Sequence, residues 1–525
     1  METPVMIFRQ KKFWWRFLAG ATLATLLFCL YSVLPLTAPN LHDSPDETAN
    51  AFFTTRFAED SVLYYLQKWN FYAPQAVHPR SVAVVGDFLV PVGFLGLPVI
   101  FGSLAKLLGT AVVPFLTPVF ALFGVIGWGL LVAHFFGRRA GRAAALLLAV
   151  NPVWWYETAR TLQPNVLFLT LVIWAVYLLV AAPLARVAEG RGRLLPWTDG
   201  PLAGLLLALA LAVRTSEAYW LLAAALAVVA FQPRLPWRRV LLAFLFAVLG
   251  FAPFLLINTT LYGHLLATGY GALGAAVTGE QLGGWGMRLL GPLQPYLFPL
   301  GFAPRTALQN FWTYGVAFFP WWSLLVTAAV LDLLRRRPKF TPSRRALVAA
   351  GATATAWLIL FYGSWTVHDN PDTSAVTIGS SYLRYWLPIF ALSTVPVAVA
   401  AAHRWEQRRE RVILAAGAVF VAAVGAATVF LSPAEGLAAV RSEIIRYDRV
   451  TRTIMDLTPP KAIIVTDRAD KFIFPRRDVI QPLRSDATYA AMGALAKKAD
   501  LYYFGITLPE GDVAWLNSHR LPPPV

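Results

Sequence analysis

Apolar runs alternate with short polar segments from residue 13 to residue 431. A bilayer core of ~30 Å takes about twenty consecutive apolar residues per helix, and most of these runs approach that length. They lie at 17–36, 113–136, 143–157, 165–183, 199–213, 217–232, 239–258, 311–334, 346–362, 385–402 and 411–431. The pattern predicts a polytopic α-helical membrane protein with about eleven transmembrane helices. One more apolar stretch, 87–109, is interrupted by Pro91, Pro98, Gly93, Gly96 and Gly102. It is expected to be re-entrant or interfacial, because a broken apolar segment persists at membrane depth only against protein or a cavity.

The periodicity changes beyond residue 432. A helix-like segment at 435–457, strand-like segments at 461–466, 478–483 and 501–506, and a helix-like 486–498 alternate there. This alternation predicts a small α/β domain over 433–525, following a transmembrane module over 1–432.

Composition agrees with the pattern: 57% of residues are hydrophobic and 14% charged, against roughly a quarter charged in soluble domains. Disorder and nucleic-acid binding are excluded as readings of this chain. The net charge of +17 nevertheless suggests a polyanionic partner until the basic residues are located. If 87–109 stays on the outer side, 23 Lys and Arg before residue 433 fall on one side of the membrane and 9 on the other. The positive-inside tendency then puts the amino terminus in the cytoplasm of a multi-pass plasma-membrane protein. The loops at 37–86 and 258–310, the shorter ones near 151–165 and 363–384, and the tail are expected to be extracytoplasmic. Cys29 is the single cysteine, so no intrachain disulfide can form.

The first outer loop carries Asp43-Ser44-Pro45-Asp46-Glu47. Ser44 as N-cap, Pro45 at the first helical position and Glu47 three residues after the cap form a capping box, and acids suit the positive end of a helix. That assignment occupies Glu47 and leaves Asp46 without a structural role. An acid at this boundary is placed to act as general base toward an acceptor hydroxyl. Ala49, Phe53 and Phe57, at four-residue spacing, give the helix an apolar face for the bilayer or for neighbouring helices.

Several further motifs follow in order: His78-Pro79-Arg80-Ser81, Gly137-Arg138-Arg139, Asn151-Pro152, and Ser381-Tyr382-Leu383-Arg384-Tyr385-Trp386-Leu387-Pro388. An amino-terminal anchor, an acidic pair opening the first outer loop, an interfacial helix and this succession resemble the GT-C glycosyltransferases. These include the protein O-mannosyltransferases and the lipid A aminoarabinose transferases. The resemblance covers roughly residues 10 to 400 as architecture. It implies inverting transfer of a sugar from a polyprenyl-phosphate carrier to a protein, lipid or glycan acceptor at the extracytoplasmic face. Asp46 matches the family's catalytic acid, with Glu47 beside it. Arg80, His78, Arg214 and Arg384, the last between Tyr382 and Tyr385, are expected at the carrier phosphate, because a guanidinium fork fits phosphate oxygens.

Glu157, Asn165, His264, His368 and Asp369 are the remaining polar positions expected to touch sugar or acceptor. Many relatives place a second aspartate near residue 165; here it is Asn165, which weakens a two-carboxylate metal site and leaves a divalent metal, Mg or Mn, open. Glu157 and Arg160 stand three apart on one helical face and are expected to pair. No phosphate-binding glycine loop of the Walker type and no His-Glu-x-x-His motif occurs, which argues against an ATP-driven pump. A lipid-linked sugar flippase or transporter would show internal repeats and mid-membrane ionisable groups. The acids instead gather toward one face, which favours an enzyme. A non-catalytic glycolipid-binding membrane protein is the other alternative.

Overall fold

The computed structural model describes residues 4–181, 198–232, 234–269, 298, 300–337, 339–367, 372, 374–405, 408–481, 486–505 and 507–521, with side chains from residue 18 onward. His368, Asp369 and most of the long 258–310 loop lie outside the described residues.

Helix α1 (Pro4–Tyr31) and the short α2 (Val33–Thr37) lead into the first loop, where α3 spans Pro45–Asp60. The capping box forms as its residues dictate: Ser44 Oγ accepts from the Asp46 amide at 3.2 Å, and the Glu47 carboxylate accepts from the Ser44 amide at 3.3 Å. Strands β1 (Tyr65–Leu66), β2 (Val82–Val85) and β3 (Phe88–Pro91) make an antiparallel sheet in the order β1-β3-β2, with Val85 opposite Phe88. Gly86 closes that hairpin at φ +61°, a conformation that costs glycine little.

The interrupted stretch continues as α4 (Gly96–Leu108), a helix of 13 residues lying against α3. Gly102 permits the close approach to α3, and Gly96 a close approach to the helix that ends at Val213. A Cβ on Gly96 would meet the Val213 amide at 2.3 Å, and one on Gly102 would meet Phe57 at 2.9 Å. The apolar face of α3 is thus used on neighbours: Phe53 is buried, Phe57 packs on α4, and Phe52 meets Phe474 from the tail edge to face.

Then follow α5 (Val113–Phe136), α6 (Arg138–Ala149), α7 (Pro152–Arg160), α8 (Pro164–Ala181), α9 (Asp199–Val213), α10 (Ala218–Phe231) and α11 (Trp237–Tyr262). After the undescribed part of the long loop come α12 (Pro304–Asn310), α13 (Pro320–Arg336), α14 (Pro342–Gly363), α15 (Ser381–Tyr385), α16 (Leu387–Arg404) and α17 (Arg408–Leu431). Among the described residues six helices are long and apolar enough to cross a membrane, or eight counting the bent pairs 199–231 and 304–336.

Three expected runs are broken, the one at 17–36 at Ser32 between α1 and α2. The run at 143–157 is two helices, because Asn151 turns its side chain onto the amides of Val153 and Trp154 at 3.1 and 3.3 Å and starts α7 anew. The run at 311–334 bends by 95° where a π-helical Phe311–Ala317 gives way to Pro320, which has no amide to continue the ladder.

The tail holds α18 (Leu437–Leu457), β4 (Ile463–Val465), α19 (Asp470–Ile473), β5 (Asp478–Ile480), α20 (Asp486–Leu495), β6 (Leu501–Tyr503) and α21 (Glu510–His519). Its strands form a parallel sheet in the order β5-β4-β6. Val77 of the first loop bridges Ile480, so tail and loop share one packed unit.

Candidate functional site

The two acids of the first turn of α3 have different surroundings. The Asp46 side chain is 45% exposed. Its Oδ1 accepts the Ser81 hydroxyl at 2.5 Å and its Oδ2 faces the Arg384 guanidinium at 3.4 Å. Glu47 is 1% exposed. Its carboxylate accepts from the Ser44 amide at 3.3 Å, from Arg160 Nε at 3.0 Å and from Gln163 Nε2 at 3.2 Å. Burial raises the Glu47 carboxyl above the usual range, and Arg160 opposes that rise.

Arg160 connects a dry cluster. It donates to the Tyr156 hydroxyl at 2.9 Å and lies 3.7 Å from Asp43, which in turn binds Lys471 at 2.8 Å and the Tyr447 hydroxyl at 3.0 Å. A small cleft opens beside it, lined by Leu34, Pro35, His42, Glu47, Arg160 and Ile444 among others. Burial and the Arg160 charge push the His42 imidazole down to about 4. The expected pairing of Arg160 with Glu157 does not occur. Arg160 reaches across to α3, where the capping box already holds a buried carboxylate in place. Glu157 is 3% exposed and makes no hydrogen bond or ion pair among the described residues; burial pushes it up to about 7, against the nearby Arg384 and Arg160 charges.

Gln163 joins the two sides. Thr161 and Leu162 both take positive φ, at 60° and 49°, and this turn presents the Gln163 amide to Glu47 through nitrogen and to Arg384 through oxygen at 3.3 Å. Arg384 also lies over Tyr385, with its carbon 5.2 Å from the ring centroid.

A second buried network holds Arg384 from behind. Asn165 donates to the Arg384 carbonyl at 2.6 Å and accepts from Arg214 at 3.2 Å. Arg214, at the break between α9 and α10, binds Glu217 at 2.7 Å and the Tyr362 hydroxyl at 3.1 Å. Tyr362 stacks on Tyr385 with centroids 4.4 Å apart. Tyr382 points away from Asp46, its hydroxyl donating to the Trp365 carbonyl at 2.6 Å and accepting from Asn310 at 3.0 Å.

Arg80 and His78 are close in sequence to Ser81 yet engaged elsewhere. Arg80 grips the fully buried Asp470 through Nε and Nη2 at 2.9 and 2.6 Å. His78 turns Nδ1 to the Pro79 carbonyl oxygen at 2.9 Å, and burial lowers its imidazole pKa. His264 is exposed just beyond α11. Of the expected residues, the structure gathers Asp46, Arg384, Tyr385, Asn165 and Arg214 into one connected set, with Glu47 joined through Gln163.

Ser81, Gln163 and Tyr362 complete this set and, like Asp470 and Lys471, which hold Arg80 and Asp43 beside it, were not assigned a role from sequence. Ser81 and Gln163 do sit inside polar outer-loop motifs, His78-Pro-Arg-Ser81 and Gln163-Pro-Asn165, which is the available signal. Among the described residues no group of three or more His, Cys, Asp or Glu is placed to hold a metal ion. Asp46's own neighbours, a hydroxyl and a guanidinium, do not make a divalent-cation site.

Residues 99–257 match the family model described as dolichyl-phosphate-mannose-protein mannosyltransferase. The fold is shared with ArnT from Cupriavidus metallidurans bound to undecaprenyl phosphate, at a TM-score of 0.54 and 12% identity, covering 96% of this chain and 95% of that one. The apo state of that ArnT gives 0.54 and 13%, covering 95% of each chain. An oligosaccharyltransferase from Archaeoglobus fulgidus, in complex with Zn and sulfate, aligns at 0.46 and 14%, covering 88% of this chain and 62% of that one. No curated protein sequence matches the chain. The family model thus matches under half of the chain, and the likeness to ArnT, at this identity, is a likeness of fold.

Proposed function

We propose that the protein transfers a sugar from a polyprenyl-phosphate carrier to a hydroxyl of a protein, lipid or glycan acceptor at the extracytoplasmic face, with inversion. The observation that carries this reading is the half-exposed Asp46 carboxylate set between the Ser81 hydroxyl and the Arg384 guanidinium. The ArnT relative was solved with undecaprenyl phosphate, which supports a carrier of that class here.

Asp46 takes the proton of the acceptor hydroxyl as its oxygen attacks the anomeric carbon. The bond from that carbon to the phosphate oxygen breaks, and the carrier phosphate leaves with the electron pair. A general base contributes ~10²–10⁴-fold to such a step. Ser81 holds the carboxylate in orientation, and Arg384 offers its charge to the departing phosphate, a role for fixed cations where charge develops. Buried Arg214, tied to Glu217, supports Arg384 through Asn165. Asp46, not Glu47, is assigned as base, because the Asp46 side chain is 45% exposed whereas Glu47 is 1% exposed and out of reach of an acceptor.

The test is transfer by purified protein in nanodiscs, supplied with a panel of undecaprenyl-phosphate sugars and the host's extracted glycoproteins and glycolipids, read by mass spectrometry. Product from the wild type and none from Asp46→Asn is expected. Wild-type rates in Asp46→Asn would refute the assignment. Cysteines introduced at Ser61 and Ser518 should label with an impermeant reagent in intact cells; protection of both would put the site on the other face.

A further inference from the structure

We infer that Asp470 and Lys471, adjoining residues of the tail, are positioning residues for Asp46. The tail is then a working part of the site rather than a separate appendage. The catalytic consequence rests on the reading above; the geometric claim does not.

Asp470 is completely buried, and its carboxylate accepts from the Arg80 backbone amide at 2.8 Å as well as from Arg80 Nε and Nη2. Arg80 Nη2 also donates to the Arg468 carbonyl at 2.9 Å, so both the backbone and the side chain of residue 80 are held by the tail. The next residue, Ser81, has φ of +60°. A non-glycine residue there is strained and persists only where its surroundings over-determine it. The Asp470 clamp supplies that constraint on one side of Ser81, and the strand begun by Val82 supplies it on the other. The product of this turn is the 2.5 Å bond from the Ser81 hydroxyl to Asp46.

Lys471 fixes the other approach to the same carboxylate. Its ammonium donates to both the Asp43 carboxylate and the Asp43 carbonyl at 2.8 Å, and its own carbonyl accepts from Thr48 at 2.6 Å. These contacts bracket residues 43–48, the segment that carries Asp46. Two neighbouring tail residues therefore hold both chain segments whose side chains meet at the Asp46–Ser81 bond. Four-residue α19 is too short to be a binding element in its own right, and its first two residues serve as a clasp.

The measurement is the rate at which a water-soluble carbodiimide with glycine ethyl ester labels Asp46 in the full-length protein, read by peptide mass spectrometry. A hydrogen bond to a carboxylate oxygen lowers its nucleophilicity toward this reagent, so a carboxylate that has lost the bond reacts faster. Asp470→Asn and Ser81→Ala should each raise Asp46 labelling about fivefold, and the double variant should raise it no further, because both act through one hydrogen bond. Arg80→Lys, which keeps a cation for Asp470 but loses the fork, should fall between wild type and Asp470→Asn and serves if Asp470→Asn does not fold. A general loosening would instead raise labelling of Asp43 equally and make the double variant additive. That outcome, or unchanged Asp46 labelling in folded Asp470→Asn or Arg80→Lys, overturns the inference. Labelling that behaves as expected while Asp46→Asn still transfers sugar would leave the clasp standing and remove the proposed function.

Discussion

One turn of α3 separates two kinds of charged region. On the Asp46 side a carboxylate meets solvent, one hydroxyl and one guanidinium. On the Glu47 side Asp43, Glu47, Arg160, Tyr156 and Gln163 satisfy one another with little water access. The buried region gains little net stability from its charges, since desolvation offsets attraction, but it fixes the helix end to α7 and to the tail. The open region keeps capacity for a ligand because the Asp46 side chain is 45% exposed. The contrast shows that adjacency in sequence is no guide to shared role: Asp46 and Glu47 differ by one residue and by about 100° around the helix.

Asp46→Asn is the largest expected effect. Transfer should fall about 10³-fold, within the range for loss of a general base, with an unchanged thermal midpoint in detergent. A drop in stability without loss of transfer would reverse the two regions.

Arg384→Ala should come next, weakening undecaprenyl phosphate binding and cutting transfer by about 10²-fold. Arg384→Lys should bind nearly as well yet turn over more slowly, because lysine keeps the charge and loses the fork. Equal titrations for wild type and Arg384→Ala would move the phosphate to another cation.

Glu47→Gln probes the buried side. It leaves Arg160 with only the distant Asp43 as anion, and breaking a buried pair costs about 3–5 kcal/mol. The thermal midpoint should drop by several degrees while transfer per folded molecule is largely kept. Loss of transfer at full stability would make Glu47 the base.

The smallest effect sharpens the contrast by pH. Glu157 is held up at about 7 by burial, partly offset by Arg384 and Arg160. A carboxyl raised in the folded state contributes fully below its unfolded value near 4.5, and that contribution is lost as pH climbs through the folded value. Glu157's contribution should be lost between about pH 4.5 and 7, so in thermal melts the wild type should fall relative to Glu157→Gln over that window, whatever other groups do to both. Parallel pH profiles for the two proteins would show that Glu157 is not buried as an acid.

Local chemistry made much of this legible before any coordinates. The capping box at Ser44 follows from residue types at fixed spacing, and so does the change of period at the tail, where 435–457 and 461–466 contain a helix and a strand. These depend on interactions within a few residues, which sequence records directly. Run length served less well. Asn151 and Pro320 break runs that hydropathy alone leaves whole, because one capping side chain or one missing amide outweighs an apolar average.

The site was only half legible. Asp46 and Arg384 stand out by charge and by motif, but nothing in the chain order announces that they lie 3.4 Å apart across 338 positions. The pairing of Arg160 with Glu47 rather than Glu157 is likewise a tertiary outcome, since helical spacing permits either and only the packing of α7 on the first loop selects one. Arg80 shows the same limit: its residue type suits phosphate, and the tail supplies Asp470 instead. The chain by itself determined which segments are apolar, where α3 begins and which side chains can carry charge. Which charges are left open to a ligand and which are neutralised was decided by long-range packing, because burial and partner choice depend on residues hundreds of positions away.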